Sequence, residues 1–435
     1  MKFDPKNTRI AIIGLGYVGL PLAVEFAKKY PVVGFDIKKS RVEELKNGHD
    51  STLETEDEDL SLVTRHSSLD EKGLFLTTNP QDIINCNYYI VTVPTPIDKN
   101  KRPDLNSLKD ASKTVGEVLS KNDTVIYEST VYPGATEEDC VPVLEEHSKL
   151  KYNVDFFCGY SPERINPGDK VNTLTKIIKV TSGSNPEIAD NVDELYKSII
   201  TAGTFKATNI KVAEASKAIE NAQRDLNISF VNELALIFDK MGINTNDVIE
   251  AAATKWNYLK FKPGLVGGHC INVDPYYMVW KAEELGYYPE VIKSGRRVNE
   301  KMGKFVANKL IKLMTQKELK ISGSNVLVLG FTFKENCPDI RNTRVIDVIT
   351  ELKEFGCNVD VYDPWPNKEE VKKEFNINLK SSTTELQTNG YNAIILAVAH
   401  KEFEKLDIKK LINGKNTVVY DLKSVLPKDI VDAYL

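Results

Sequence analysis

Short, almost wholly apolar runs recur along the chain, separated by longer stretches in which apolar residues return every three or four positions. Arg9-Ile-Ala-Ile-Ile13 predicts a buried strand, Leu20 to Lys29 a helix, and the run ending Val33-Gly-Phe-Asp36 a second strand. Further strands are expected at Tyr88 to Val93, Thr124 to Tyr127 and Asp155 to Tyr160, with helical patterns from Leu105 to Leu119 and Glu137 to Leu150 between them. Strand alternating with helix means a parallel, doubly wound sheet.

From Asn209 to Met241 the pattern changes to one long helical stretch, with Ala215, Ala218, Ile219, Ala222, Leu226, Val231, Leu234 and Phe238 at helical spacing and Gly242 closing it. At ~1.5 Å per residue it runs roughly 50 Å, long enough to bridge two domains. Alternation then resumes: a strand near Asn325, a helix from Thr343 to Phe355 stopped by Gly356, and strands at Val359 to Asp363, Ala393 to Val398 and Thr417 to Asp421. The expectation is an α/β chain of two Rossmann-like, doubly wound domains joined by a long central helix, with boundaries at 1–205, 206–315 and 316–435.

Composition narrows the classes. The 435 residues carry a net charge of −5 with both signs plentiful, which gives no reason to expect a nucleic-acid partner. Six widely spaced cysteines without CxxC point to reduced thiols in a cytoplasm, and five histidines at no ligand spacing from them make zinc, or any metal, unexpected. The apolar start from Ile10 to Val24, after Lys2 and Arg9, could pass for a signal-peptide core, but its spaced glycines fit a different use. No run of about 18 apolar residues predicts a membrane span.

That different use is Gly14-Leu-Gly-Tyr-Val-Gly19, a GxGxxG between a strand and a helix with Asp36 some 20 residues on. Gly14 permits the tight turn, Gly16 lets a pyrophosphate reach backbone amides, and Gly19 allows close helix-strand packing; Tyr17 and Val18 complete the turn. Asp36 would accept from ribose hydroxyls and repel a 2′-phosphate, favouring NAD over NADP, with Lys38 and Arg41 as the counter-argument. At the strand ends, Pro94-Thr95-Pro96, Glu128-Ser129-Thr130 and Ser161-Pro-Glu163-Arg164 place polar groups where nicotinamide and substrate should meet, although turn chemistry alone explains some of them. Glu163 is a candidate acid or base.

Gly264-Leu-Val-Gly-Gly-His-Cys-Ile-Asn-Val-Asp274 sets Cys270 in a glycine-opened loop beside His269 and Asp274, a plausible nucleophile seat. Lys217 and Asn221 share one helix face and could hold an oxyanion, but spacing alone favours a solvated polar face with an ordinary Glu220–Arg224 pair. Lys334 and Arg341 are candidates for a phosphate or carboxylate site.

Gly14 to Gly19 with Asp36, Ser129-Thr130, Ser161-Pro-Glu163, Lys217 and Asn221, Gly267-Gly-His-Cys270 with Asp274, and Phe333-Lys334 through Asp339-Ile-Arg341 occur in the order seen in UDP-glucose/UDP-mannose-type nucleotide-sugar dehydrogenases, and the chain resembles that family from Arg9 to Asp421. The resemblance implies an N-terminal NAD domain, a central helix used for dimerisation, a C-terminal domain for the UDP end, and a four-electron oxidation of the sugar C6 alcohol with two NAD. It assigns Cys270 as nucleophile, Lys217 and Asn221 to the oxyanion, Asp274 with Thr130 to a water, and Glu163 to acid/base work. Gly14, Gly16, Tyr17, Val18, Gly19, Asp36, Arg41, Pro94, Thr95, Ser129, Thr130 and Arg341 fall to the cofactor; Glu163, Arg164, Lys217, Asn221, Tyr258, Gly264, Gly267 and Lys334 fall to the sugar nucleotide.

Pro162-Glu-Arg-Ile-Asn-Pro-Gly168 departs from the UDP-glucose pattern, with Pro167 where a second glutamate would stand. This run is more similar to bacterial UDP-N-acetylglucosamine and UDP-N-acetylgalactosamine 6-dehydrogenases of capsule and O-antigen synthesis, with UDP-N-acetylmannosamine and then UDP-glucose as alternatives. The family also draws a basic residue from the neighbouring subunit, for which Lys255 is one or two residues out of register.

Overall fold

The computed structural model describes residues 3–65, 71–165, 169, 171–268, 270–386, 390–412 and 417–435. His269 and the run 166–168, Pro167 included, lie outside the described residues. The chain divides into two compact units, 1–220 with 276–287 and 221–275 with 288–435.

The first unit is built on a nine-stranded sheet: β1 (Ile10–Ile13), β2 (Pro31–Phe35), β3 (Thr64–Arg65), β4 (Gly73–Thr77), β5 (Tyr88–Val91), β6 (Thr124–Tyr127), β7 (Phe157–Tyr160), β8 (Lys179–Gly183) and β9 (Thr204–Lys206). Their order is β3-β4-β2-β1-β5-β6-β7-β8-β9. The stretch β4-β2-β1-β5-β6-β7 is the parallel dinucleotide-binding order, and its strands are buried on both faces, which is why they read as continuous apolar runs. Two features went unanticipated. β8 continues the sheet but runs antiparallel to β7, and the helix expected from Glu137 begins instead as a π turn, Thr136–Cys140, before Val141–Ser148. Pro142 has no N–H to donate into the preceding turn, so the regular ladder cannot pass through it.

The long helix runs Ile210–Met241 and ends at Gly242 with φ +69°. Its residues through Glu220 belong to the first unit and those from Asn221 to the second.

The second unit holds a five-stranded parallel sheet of β10 (Asn325–Leu329), β11 (Asn358–Tyr362), β12 (Ala393–Leu396), β13 (Val418–Asp421) and β14 (Ala433–Tyr434), ordered β11-β10-β12-β13-β14. Separate apolar clusters cover its two faces. One includes Met302, Val306, Leu310 and Met314 from a second long helix, Glu290–Gln316, where burial every fourth residue marks the inward stripe. Both sheets are thus doubly wound, as the alternation of runs predicts, and in sheets of this kind ligands bind in the crevice beyond the strands' carboxyl ends.

Candidate active site

In the first unit, Gly14 adopts φ +98° and a Cβ on Gly19 would overlap the Gly14 carbonyl and the Thr92 hydroxyl, so the turn and the helix-strand approach both require glycine. Gly16 is different: a Cβ there would meet no atom within 4 Å. Nothing in the protein demands that glycine, which fits a cradle left open for a dinucleotide diphosphate. Tyr17 and Val18 lead into the helix Gly19–Ala27. Asp36 accepts from Leu15 N at 2.9 Å and Lys38 N at 2.8 Å, holding its carboxylate at the β2 end. Arg41 is engaged by Glu44 (2.8 Å), Asp50 (2.7 Å) and the Leu15 carbonyl (2.9 Å), which turns its charge away from service to a 2′-phosphate.

The strand-end segments after β5 and β6 are knit together. Thr95 Oγ1 donates to the Thr130 carbonyl at 2.6 Å, Ser129 Oγ to Val93 O at 2.6 Å, and Tyr277 OH to Thr95 O at 2.8 Å; Pro94 sits within this knot. After β7 comes Glu163, which accepts from Ile165 N and lies 3.5 Å from Lys217 Nζ. Both side chains are about 5% exposed, contrary to the solvated face that spacing alone favours. The expected Glu220–Arg224 pair gives way as well: Glu220 meets Arg164 at 2.7 Å, while Arg224 turns to Asn221. Tertiary packing supplies partners that the i,i+4 rule does not see. Burial pushes the Glu163 carboxyl up, with the Lys217 and Lys179 ammonium groups pulling against it.

In the second unit, Cys270 is half-buried, and its carbonyl accepts from Val273 N (2.9 Å) and Asp274 N (2.7 Å), turning the loop into the helix Asp274–Glu284. Asn221 Nδ2 donates to Asp274 Oδ2 at 2.5 Å, so two of the expected site residues meet in this unit. Close approach explains the glycines. A Cβ on Gly267 would come 2.8 Å from the Asn342 carbonyl, and Gly268, at φ +92°, would meet the Phe333 ring. Gly264 is clamped by Asn232, which accepts from its N–H at 2.8 Å and donates to its carbonyl at 3.0 Å.

A network that the sequence does not announce holds this loop. Arg296, 2% exposed, reaches Asp225 at 2.5 Å and Asn272 at 2.6 Å; Asn299 donates to Asp225 at 2.7 Å and accepts from Asn232 at 2.8 Å; Arg344 donates to Asn272 at 3.1 Å. Arg296 and Asn299, the two polar residues on the buried stripe of the helix Glu290–Gln316, are the signal that could have revealed it. Lys334 ends the β10 segment with Nζ over the Phe333 ring, Arg341 is bonded to Asp339, and Tyr258 is half-buried just after Lys255. Among the described residues no group of three His, Cys, Asp or Glu could hold a metal ion, and no helix is long and apolar enough to cross a membrane.

Residues 8–200 match the NAD binding domain of the UDP-glucose/GDP-mannose dehydrogenase family, 211–301 its central domain and 327–428 its UDP binding domain. The chain is similar to UDP-N-acetyl-D-glucosamine 6-dehydrogenase of Pseudomonas aeruginosa, 55% identical over 433 residues, covering 99% of this chain and 100% of that one. It is 52% identical to Protein CapL of Staphylococcus aureus, with 97% of each chain covered. Among solved structures, UDP-D-ManNAc dehydrogenase from Pyrococcus horikoshii superposes with a TM-score of 0.86 at 31% identity over 98% of each chain. With a glycine turn that fits NAD, a cysteine loop set against a second nucleotide-type sheet, and all three domains matched in order, this chain belongs to the UDP-glucose/GDP-mannose dehydrogenase family and is an NAD-dependent UDP-sugar dehydrogenase.

Proposed function

We propose that the chain oxidises the C6 hydroxyl of a UDP-N-acetylhexosamine, UDP-N-acetylglucosamine or its galacto epimer, to the uronic acid, supplying capsule or O-antigen synthesis. The observation that carries this reading is the 55% identity, end to end, with a UDP-N-acetyl-D-glucosamine 6-dehydrogenase.

The residues divide the work. NAD, which the Gly14 to Gly19 turn and Asp36 would hold, would supply the hydride acceptor for each of the two oxidations. Glu163 takes the hydroxyl proton as C6 becomes an aldehyde. Cys270, as thiolate, adds to that carbon, and a tethered thiohemiacetal cannot escape before the second oxidation. Lys217 and Asn221 stabilise the oxyanion on either side of the resulting thioester. Asp274 and Thr130 position the water that releases the acid and returns the thiol. Arg164, Tyr258, Gly264, Gly267 and Lys334 hold the sugar nucleotide, with Lys334 facing a phosphate.

Cys270→Ser tests the covalent step. Acid formation should fall by about 10² or more while NAD affinity persists; normal turnover would end the proposal. A panel of UDP-sugars read by NADH release decides the epimer, at two NADH per sugar, and exclusive use of UDP-N-acetylmannosamine or UDP-glucose would overturn the assignment to the gluco or galacto epimer.

The long helix exposes Phe230 (59%) and Met241 (61%), and a homodimer formed through this helix would cover them. Phe230→Glu should then yield monomers in light scattering.

A further inference from the structure

Behind Glu163 lies a second pair of buried charges that the proposed chemistry does not use. Glu128 follows β6; Lys179 donates to its Oε2 at 2.6 Å and the Tyr196 hydroxyl to its Oε1. Lys179 opens β8, and its ammonium also sits 5.4 Å over the Tyr196 ring. Both ion-pair side chains are buried, at 4% and 1% exposed.

Strand direction explains how the two pairs meet. β8 is antiparallel to β7, with Gly159 opposite Gly183 and Tyr160 opposite Ser182. Continued past the last paired residues, the same register sets Glu163 opposite Lys179, and the 2.8 Å bond from Ser161 Oγ to the Val180 carbonyl holds the strands together there. An antiparallel strand thus brings its first residue to the carboxyl ends of the parallel ones. A parallel β8 would have brought its last.

The buried charges alternate: Glu128, Lys179, Glu163, Lys217. A lone buried charge is costly, and alternation compensates each one. Lys217 and Lys179 favour ionised Glu163, whereas burial and Glu128 disfavour it. Arg164, next to Glu163 in the chain, pairs with Glu220 at 2.7 Å.

We propose that Lys179, held in place by Glu128 and Tyr196, is a positioning residue that sets the charge state of Glu163 and, through it, the placement of the Lys217 ammonium. This rests on the acid/base role proposed for Glu163.

The pair allows a test with opposite signs. Glu128→Gln removes a neighbouring negative charge, so the pH at which Glu163 takes up a proton should fall by about one unit. Lys179→Met leaves Glu128 uncompensated and should raise it by a similar amount. The double variant, which leaves no unbalanced charge, should return it near the parent value. The midpoint is read from the carboxyl stretch in infrared difference spectra against Glu163→Gln, on enzyme without sugar. The acid limb of kcat/KM for NADH release should move in step, with NAD affinity unchanged.

Identical midpoints across the variants overturn the inference, even if turnover drops. So do midpoints that move while the acid limb stays put. Should Lys179→Met fail to fold, Glu128→Gln and the charge-neutral double variant still decide. Failure of the proposed function looks different: the parent enzyme would release no NADH from any UDP-sugar, whatever the infrared midpoints do.

Discussion

The two sheets turn out of their first strands in the same way and then diverge. Gly14 after β1 and Gly330 after β10 take φ of +98° and +89°, and each donates its N–H to the end of the neighbouring strand, at Phe35 O (2.8 Å) and Tyr362 O (2.9 Å). An aspartate follows each neighbour. Asp36 accepts from Leu15 N at 2.9 Å; Asp363 accepts from Phe331 N at 2.6 Å and Thr332 N at 3.0 Å. Past this point the first turn continues into Gly16 and Gly19, the second into Thr332, Phe333 and Lys334.

The acids differ too. Asp36 is half-buried at the crevice, whereas Asp363 is 1% exposed and takes a 2.9 Å bond from His400 Nε2. Because His400 Nδ1 accepts from Asn336 N at 2.9 Å, its proton sits on Nε2, toward the carboxylate. One turn therefore leaves its acid half-buried and a glycine with no atom within 4 Å of where a Cβ would sit. The other uses its acid to close the loop that carries Lys334, through Phe331 N, Thr332 N and His400. The same backbone device opens a glycine turn in one sheet and braces a loop in the other.

That contrast can be broken most forcefully at the two aspartates. Asp363→Ala strands two buried amides and an imidazole N–H, so urea unfolding should show a loss of about 3 kcal/mol or more with NAD affinity intact in the folded fraction. Asp36→Ala should cost about 1 kcal/mol while raising the NAD Kd tenfold or more. Equal stability losses at the two sites would erase the distinction.

The glycines sharpen it. Gly16→Ala meets no protein atom, so stability should stay within about 0.5 kcal/mol while the NAD Kd, by calorimetry, rises about tenfold. Gly330→Ala, at positive φ and against Val398, should destabilise by more than 1 kcal/mol without touching NAD. A stability loss at Gly16 equal to that at Gly330 would mean the first turn is a scaffold as well.

The smallest expected effect is in pH. Asp363 is held below its usual range: burial pushes it up, but the His400 bond and backbone amides outweigh that. Its contribution is therefore present at neutral pH and lost as pH falls through its lowered value. Glu214, on the long helix, accepts from Gly134 N (2.5 Å) and Thr136 N (2.9 Å), yet burial pushes it up from 4.5 to about 7. Its sign is opposite: stability is fully present below 4.5 and lost as pH rises through about 7. Melting temperatures of Glu214→Gln and the parent should diverge in favour of the variant between those values and run parallel above them. Parallel curves throughout would show that Glu214 does not titrate there.

Much of this molecule can be read without its structure, and the residues say why. Apolar runs covered on both faces identify β1, β5, β6 and β10. The long helix is legible in its period and the Gly14 to Gly19 turn in its glycine spacing, whereas Gly267 and Gly268 beside Cys270 are required by Asn342 and Phe333, far along the chain. Periodic and turn constraints act within a few residues, so they are written where they act. The direction of β8 is not, since no strand propensity distinguishes up from down. The partners of the buried charges are not either: Lys179 finds Glu128 across 51 positions and Arg296 finds Asp225 across 71. The chain by itself determined most of the strands, the long helix and the glycine turn after β1. Only tertiary packing decided which buried charge answers which, because compensation in a water-free interior depends on proximity in space and leaves no mark on spacing.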